Sequence, residues 1–94
     1  MSATAPSISS EVTVKNKNGV HARPSSQFVK LASSFNCEVW VEKDGESING
    51  KSIMGLLMLA AGPGSKLTIV CAGDKADQAL AELVALVNGK FGED

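Results

Sequence analysis

The sequence predicts an α+β domain: a two-layer open-faced β-sandwich whose four-stranded, mostly antiparallel sheet carries three helices on one face, in the order βαββαβα. Three observations support this prediction. Four short segments alternate apolar and polar residues, which is typical of half-buried strands. Three other segments repeat apolar residues at the helical period. Turn-forming residues separate the two kinds of segment, and elements with one apolar face each pack as two layers.

The first strand and the first helix are predicted from the change in period. From Glu11 onward, Val12 and Val14 alternate with polar residues until the turn-forming stretch NKNG. After Pro24 the period becomes helical, and Asn36 is the predicted end of the helix. Four residues form its apolar face: Phe28, Leu31, Ala32 and Phe35.

A β-hairpin follows this helix. Cys37, Val39 and Val41 alternate with polar residues and predict the second strand. Asp44-Gly45 is a strong hairpin signal, so a short third strand is expected through Ser47 and Ile48.

A short helix, a strand and a long helix complete the order. Ser52 is predicted to be the N-cap of a short helix that ends before Gly62-Pro63-Gly64. The apolar face of this helix contains Ile53, Leu56 and Leu57, and Ile53 and Leu57 are expected in the core. Leu67, Ile69 and Cys71 predict the fourth strand. The last helix is predicted to begin at Asp74 and to end at Gly89. Its apolar face comprises Ala76, Ala79, Leu80, Leu83, Val84 and Val87.

Length and composition predict one ordinary globular domain. The 94 residues are 44% apolar and 20% charged, with a formal net charge of −1. We expect residues 1–8 to be a flexible segment and residues 9–94 to be the domain. The charge balance argues against a nucleic-acid partner. Two cysteines without metal-type spacing and one histidine argue against a disulfide framework and a metal site. No cofactor is expected.

The sequence also predicts a cytoplasmic protein. The first residues, MSATAPSISS, contain neither a basic region nor an apolar run, so no secretory signal is expected. The apolar stretch 53–62 is about half the ~20 residues that a membrane span needs, which argues against membrane insertion.

The one histidine of the chain lies in the stretch NGVHARPSS, where the first helix is predicted to begin. His21 is therefore expected at the helix N-cap, beside backbone N–H groups that have no partner within the helix. A neutral imidazole is a nucleophile, and Arg23 adds a cation suited to phosphate oxygens. Phosphoryl transfer is chemically feasible at this position. From these residues alone, a solvated cap is the commoner role for such a histidine.

Two motifs, and the distance between them in the sequence, favour phosphoryl transfer over a solvated cap. GVHARPSS followed by a helix and a hairpin, and then GKSIMGLLMLAAGPG, resemble the HPr family, the histidine phosphocarriers of the bacterial sugar phosphotransferase system. The resemblance covers about residues 10–92. It implies that His21 accepts a phosphoryl group on Nδ1 from enzyme I and passes it to a IIA-type domain. The protein would then be a carrier rather than an enzyme, with Arg23 stabilising charge and the amides of Ala22 and Arg23 cradling the group.

The resemblance implies further sites. Ser52 matches the serine that an HPr kinase phosphorylates in many relatives. A plain N-cap is its other interpretation, and the two roles are compatible. Ile53, Met54 and Leu57 lie in the stretch that presents an apolar docking patch, and Met54 is the best contact residue of the three. Ser26, Gln27 and Lys30 would surround that patch, or be merely solvated.

Several features leave the biological branch open. Ser25 follows HARP where alanine is frequent, and Gly62-Pro63-Gly64 replaces a Lys-Gly type of turn. The stretches LLML and VNGKFGED are similar to the nitrogen-related branch of the family, whereas GKSIMG is similar to the sugar branch. A regulatory docking protein of the nitrogen-related branch is therefore an alternative. A regulatory domain that binds a small molecule is another, although it would not need the histidine. A carrier that meets several partners in turn is expected to be a monomer.

Overall fold

The computed structural model describes residues 6–93. Within them the chain forms four strands, three α-helices and a C-terminal 3₁₀ turn. Their bounds are β1 (Ser7–Thr13), α1 (Ala22–Ser33), β2 (Glu38–Lys43), β3 (Glu46–Asn49), α2 (Ile53–Leu59), β4 (Lys66–Ala72), α3 (Ala76–Asn88) and the 3₁₀ turn (Lys90–Gly92). The predicted order βαββαβα is confirmed.

The sheet has the strand order β1-β4-β2-β3, and all three pairings are antiparallel. Strand β4, one of the two interior strands, pairs with β1 on one side and with β2 on the other, so Ile69 lies between Ser10 and Val41. Apolar side chains of β4 alternate toward the helical layer, where Leu67, Ile69 and Cys71 are buried. The hairpin between β2 and β3 turns at Asp44 (φ 51°) and Gly45 (φ 85°), two consecutive positive φ angles that such tight turns favour.

The core lies between the sheet and the helices. Helix α3 packs on β1 and β4, and its stripe of Ala79, Leu83 and Val87 is completely buried. Helix α1 contributes Phe28 and Ala32 to the same core. Among the described residues, no helix has both the length and the apolar character needed to cross a membrane.

Three element boundaries differ from the prediction. Strand β1 begins at Ser7, so Ser7 and Ile8, assigned above to a flexible segment, pair with β4; residues 1–5 lie outside the described part. Helix α1 ends at Ser33, with Ser34 as C-cap, rather than at Asn36. Helix α3 begins at Ala76 rather than Asp74, because Gly73 and Lys75 take positive φ angles that no helix continues.

The predicted apolar face of α2 is partly wrong. Leu56 and Leu59 are buried, whereas Ile53 and Leu57, which were expected in the core, are 42% and 39% exposed. With 3.6 residues per helical turn, Leu56 and Leu59 lie close together on one side of the helix. Ile53 and Leu57 are then rotated away from the centre of that side. A helix of seven residues that packs on α1 and β3 buries only this narrow stripe.

The two cysteines lie close together inside the core as free thiols. Cys71 on β4 pairs with Val39 on β2, and Cys37 precedes that strand. Both side chains are at most 2% exposed. Burial, followed by the charge and hydrogen bonding of Cys37, raises the pKa of Cys71 from 9.0 to about 11. The Cys71 thiol is therefore protonated at neutral pH.

Candidate functional site

His21 is the N-cap of α1, as the sequence predicts. Its backbone is extended (φ −90°, ψ −164°), and its side chain makes no capping hydrogen bond to the helix. The first hydrogen bond of the helix runs from the N–H of Ser25 to the carbonyl of His21, at 2.9 Å. Pro24 has no N–H, so Ala22 and Arg23 supply the amides that precede this bond. The imidazole thus lies beside two amide donors.

The first turn of α1 is electrostatically positive. It contains no acidic residue of its own, so no side chain within the turn offsets the positive end of the helix dipole. The side chain of Arg23 is exposed. Within residues 6–93 its guanidinium forms no ion pair. An anion arriving beside His21 would therefore meet a free cation as well as the two amides.

The loop before His21 is fixed against the segment that follows α2. The N–H of Val20 donates to the carbonyl of Ala61 at 2.8 Å. Gly19 has φ +68°, and a Cβ atom on it would lie 2.5 Å from the Ala61 carbonyl oxygen. Glycine is required at this position for both reasons. The loop packing therefore determines where the imidazole lies relative to α2.

Glu93 belongs to the site, although the sequence analysis did not identify it. Its carboxylate oxygens lie 3.3 Å (Oε1) and 3.2 Å (Oε2) from Nε2 of His21. The buried amide of Asn16 donates to Oε1 of Glu93 at 3.1 Å and to the carbonyl of Gly19 at 2.6 Å. Seventy-two residues separate His21 from Glu93, so no local pattern links them. The one available signal was Phe91, an isolated apolar residue between glycines after the end of the last helix.

Phe91 anchors the C-terminal segment. It is 2% exposed and adopts a left-handed conformation with φ 55°. The N–H of Glu93 donates to the carbonyl of Lys90 at 2.8 Å. Burial of an aromatic ring, together with this turn, carries Glu93 back to the first turn of α1.

An exposed apolar surface covers α2. It comprises Ile53, Met54, Leu57 and Met58, of which Met54 (68%) and Met58 (74%) are the most exposed; we call these four residues the α2 patch. Met58 was not among the predicted contact residues, because its position in the helix gave it no distinguishing pattern. On α1, which packs against α2, Ser26 and Lys30 are exposed and Gln27 is half-buried.

Ser52 caps α2 as predicted. Its Oγ accepts a hydrogen bond from the N–H of Gly55 at 3.0 Å, and the residue is half-buried. It lies at the opposite end of α2 from Ala61, which contacts the His21 loop. The structure therefore brings His21, Ala22, Arg23 and Glu93 together, whereas Ser52 lies apart from them at the N-terminus of α2. Among the described residues, no group of histidine, cysteine and acidic side chains could hold a metal ion.

Comparison with known proteins gives consistent matches over most of the chain. Residues 8–89 match the family model described as the PTS HPr component phosphorylation site. The phosphocarrier protein HPr of Neisseria meningitidis serogroup A is 44% identical over 86 residues, covering 92% of this chain and 97% of that protein. The HPr-like protein Crh of Halalkalibacterium halodurans is 42% identical, covering 85% and 95%. The phosphocarrier protein NPr of Shewanella violacea is 40% identical, covering 88% and 91%.

Solved structures share the fold. The crystal structure of HPr from Thermoanaerobacter tengcongensis superposes with a TM-score of 0.89 at 41% identity, covering 93% of this chain and 98% of that one. A crystal structure of an HPr dimer from the same organism matches with a TM-score of 0.74.

Proposed function

The chain belongs to the HPr family of phosphocarrier proteins of the bacterial phosphotransferase system, and from that membership we propose that His21 is its phosphoryl acceptor. A protein of this family is a carrier rather than an enzyme. The observation that supports His21 most directly is its position: a half-exposed imidazole at the N-cap of α1, beside amides that no side chain caps. A phosphoryl group on this ring would meet donors that are already in place.

The transfer itself requires one bond to form and one to break. The lone pair of Nδ1 attacks the phosphorus of the donor's phosphohistidine; the new N–P bond forms as the donor's N–P bond breaks, and the donor imidazole keeps that electron pair. The phosphoryl oxygens would then accept from the amides of Ala22 and Arg23 and from the Arg23 guanidinium. Each contact of the dipole type contributes about 1 kcal/mol at an exposed site. Such weak stabilisation suits a carrier, because the group must leave as readily as it arrives.

We propose enzyme I as the donor and IIA domains as acceptors, with the α2 patch as the shared docking surface. The hydrogen bond between Val20 and Ala61 joins the His21 loop to the segment that directly follows α2, the helix that carries the patch. Methionine side chains adapt to differently shaped partners, and Met54 and Met58 are the most exposed members. Ser26, Gln27 and Lys30 on α1 would form the polar rim of this interface.

The proposal is tested by measuring the transfer of phosphate to the chain. The chain is incubated with enzyme I and phosphoenolpyruvate, and the product is analysed for acid-labile, base-stable phosphate. We expect one phosphate per chain in the wild type and in Ser52→Ala, and none in His21→Ala. Unchanged labelling of His21→Ala, or an unlabelled wild type, would overturn the assignment.

We also propose Ser52 as a site of regulatory phosphorylation by an HPr kinase. Its half-buried Oγ lies at the N-terminus of α2, next to Ile53 of the patch. A phosphate there would add roughly −2 charges at the docking surface and disfavour apolar or acidic partners. Incubation with the kinase and ATP should add the mass of one phosphate to the wild type and to His21→Ala, but not to Ser52→Ala. An unmodified wild type would contradict this role.

The downstream branch is a separate question. The similarity to NPr as well as to HPr supports a second candidate, a regulatory docking protein of the nitrogen-related branch. Phosphorylated protein, offered in parallel to sugar-type and nitrogen-type IIA domains, should transfer its label faster to one of them. We favour the sugar-type domain, and preferential transfer to the nitrogen-type domain would establish the alternative.

We propose that the carrier works as a cytoplasmic monomer, because a protein that meets several partners in turn needs its docking surface free. Light scattering at micromolar concentration should give the mass of one chain. A mass of two chains would instead resemble the HPr dimer known from Thermoanaerobacter tengcongensis.

A further inference from the structure

We propose that the open face of the sheet is a docking surface for an extended, arginine-rich segment of a partner protein, with Trp40 at its centre. This face is the side of the sheet opposite the three helices. His21 and the α2 patch belong to the helical layer, so the proposed surface is separate from the site of phosphoryl transfer. A partner bound there would leave both of them free.

The alternation of the strands defines the open face. On β2 the buried side chains face the helices, so Glu38, Trp40 and Glu42 face the opposite way. On β4, Thr68 and Val70 alternate with buried residues in the same manner. The antiparallel register places Trp40 beside Val70, and Glu42 beside Thr68. These five residues therefore share one surface.

Trp40 supplies an aromatic surface in the middle of this face. It pairs with Val70 of β4 on one side and with Asn49 of β3 on the other. The residue is half-buried rather than enclosed, and its Nε1 lies 3.5 Å from Oε1 of Glu38. An accessible indole attracts a guanidinium group, which stacks flat on the ring. The ring is therefore suited to an arginine side chain.

Three carboxylates surround Trp40 on the same face. Glu38 and Glu42 lie two residues from it in either direction, about 7 Å along the strand. Glu11 of β1 lies in the same row as Glu42, on the far side of β4, at a distance of about 10 Å. All three are exposed, and within residues 6–93 none of them forms an ion pair. Lys66 is the one cation among the described strand residues of this face, so the face carries a net negative charge.

The spacing of these groups matches an extended peptide. Side chains on one side of a β-strand repeat about every 7 Å, which is also the spacing from Glu38 to Trp40 and from Trp40 to Glu42. Arginines at alternate positions of an extended segment can therefore contact a carboxylate, the indole and the second carboxylate in turn. A single ammonium ion would meet only one of these groups. Nucleic acid and anionic lipid would be repelled by the unpaired carboxylates.

The test uses a peptide in which arginine and serine alternate over six residues, with both ends blocked. Because Trp40 is the one tryptophan of the chain, its fluorescence reports directly on this face. Binding of the peptide should change that emission, shift the amide signals of β2 and β4 in ¹⁵N spectra, and weaken with added salt. The corresponding lysine peptide should bind about 2- to 5-fold more weakly, because an ammonium group does not stack flat on the indole.

Variants of the face should weaken binding of the arginine peptide, as measured by the amide shifts. Trp40→Ala should raise the Kd about 2- to 5-fold. Glu38→Gln combined with Glu42→Gln should raise it about 3- to 10-fold. The matched control combines Glu46→Gln on the helical side of β3 with Glu82→Gln on α3. It removes the same charge from other exposed positions and should change the Kd by less than about twofold.

Several outcomes would overturn the inference. Unchanged emission and amide signals at millimolar peptide would do so, as would equal losses of affinity in the control and in the double variant of β2. Amide shifts confined to the acidic residues of α3 would also overturn it. Thermal unfolding identifies any general loss of structure in Trp40→Ala, and the double variant of β2 decides the matter if that protein is unstable.

A transfer assay separates this surface from the proposed function. The variants of the open face should accept phosphate from enzyme I at the wild-type rate, because none of them lies beside His21. A lower rate in well-folded variants would contradict the separation of the two surfaces. If the wild type takes no phosphate on His21, the proposed function fails, whereas the peptide titration still decides the docking surface.

Discussion

The N–H of Val20 donates to the carbonyl of Ala61 at 2.8 Å, which joins the residue before the histidine to the segment after α2. The two residues are far apart in the sequence, but they belong to the two motifs that carry the family resemblance. The hydrogen bond holds the two motifs together in the folded chain. One supplies the imidazole and the other supplies both its support and an apolar surface beside it.

Gly19→Ala should disturb this junction. Its positive φ disfavours alanine, and the added Cβ would lie 2.5 Å from the Ala61 oxygen, so either the loop or the 61–62 segment has to move. We expect a loss of about 1–3 kcal/mol in the free energy of unfolding, together with slower phosphorylation of His21. Urea denaturation and the enzyme I assay measure the two effects.

Gly45→Ala provides the matched control. Gly45 also has a positive φ, but an added Cβ there would meet nothing within 4 Å. Gly45→Ala has the conformational cost of a positive φ angle but no steric clash. It should therefore lose less free energy of unfolding than Gly19→Ala and be phosphorylated at the wild-type rate. Equal losses in the two variants would show that the close approach at Gly19 is unimportant.

Arg23→Ala should slow phosphoryl transfer without abolishing it. The guanidinium is exposed, so its contribution to binding the transferred group is on the order of 1 kcal/mol, which corresponds to a rate about fivefold lower. Arg23→Lys keeps the positive charge but lacks the planar guanidinium, so its transfer rate should lie between those of the wild type and Arg23→Ala. Lys66→Ala removes one positive charge from an exposed site on β4 and serves as the control. An unaltered rate in Arg23→Ala would remove the guanidinium from the site.

Ser25→Ala should stabilise the protein. The Oγ of Ser25 is completely buried in the first turn of α1 and has no hydrogen-bond partner among the described residues. Removing an unsatisfied hydroxyl and improving helix propensity should together add about 1 kcal/mol to the free energy of unfolding. Ser26→Ala, at the exposed neighbouring position, gains propensity only and should add about half of that. A destabilised Ser25→Ala would mean that the hydroxyl does have a partner.

The periodic parts of the chain were predictable because burial on one face leaves a repeating pattern. The long stripe of α3 and the alternation of β4 both extend over several repeats, and both were correctly assigned. Helix α2 has seven residues and four exposed apolar side chains, so its pattern did not show which residues are buried. Ile53 and Leu57 were misplaced for that reason.

The site was only partly predictable. His21, Ala22 and Arg23 are consecutive, and the start of a helix is a local property that the HARP stretch encodes. Glu93 and Asn16 reach the same place through tertiary packing, in which Phe91 is buried and the C-terminal turn folds back. A contact between segments so far apart depends on the whole fold, and one sequence contains no pattern that reveals it.

The buried thiol of Cys71 should make stability depend on pH in the alkaline range. Its pKa is 9.0 when exposed and about 11 in the folded protein, because burial disfavours the thiolate. Between these values the unfolded chain loses the proton while the folded chain keeps it, so the folded state binds more protons. The free energy of unfolding should therefore be unaffected by this group below about pH 9 and should fall as the pH rises toward 11.

The predicted loss is on the order of 2–3 kcal/mol. It is measured as the urea midpoint from pH 8 to pH 11 in the presence of a phosphine reductant, for the wild type and for Cys71→Ala. The variant is less stable at neutral pH because it lacks a buried sulfur atom, but its stability should decline less steeply above pH 9. The two proteins differ at this one side chain, so the difference between the two curves isolates the thiol. Parallel curves would show that Cys71 ionises as readily in the folded protein as in the unfolded chain.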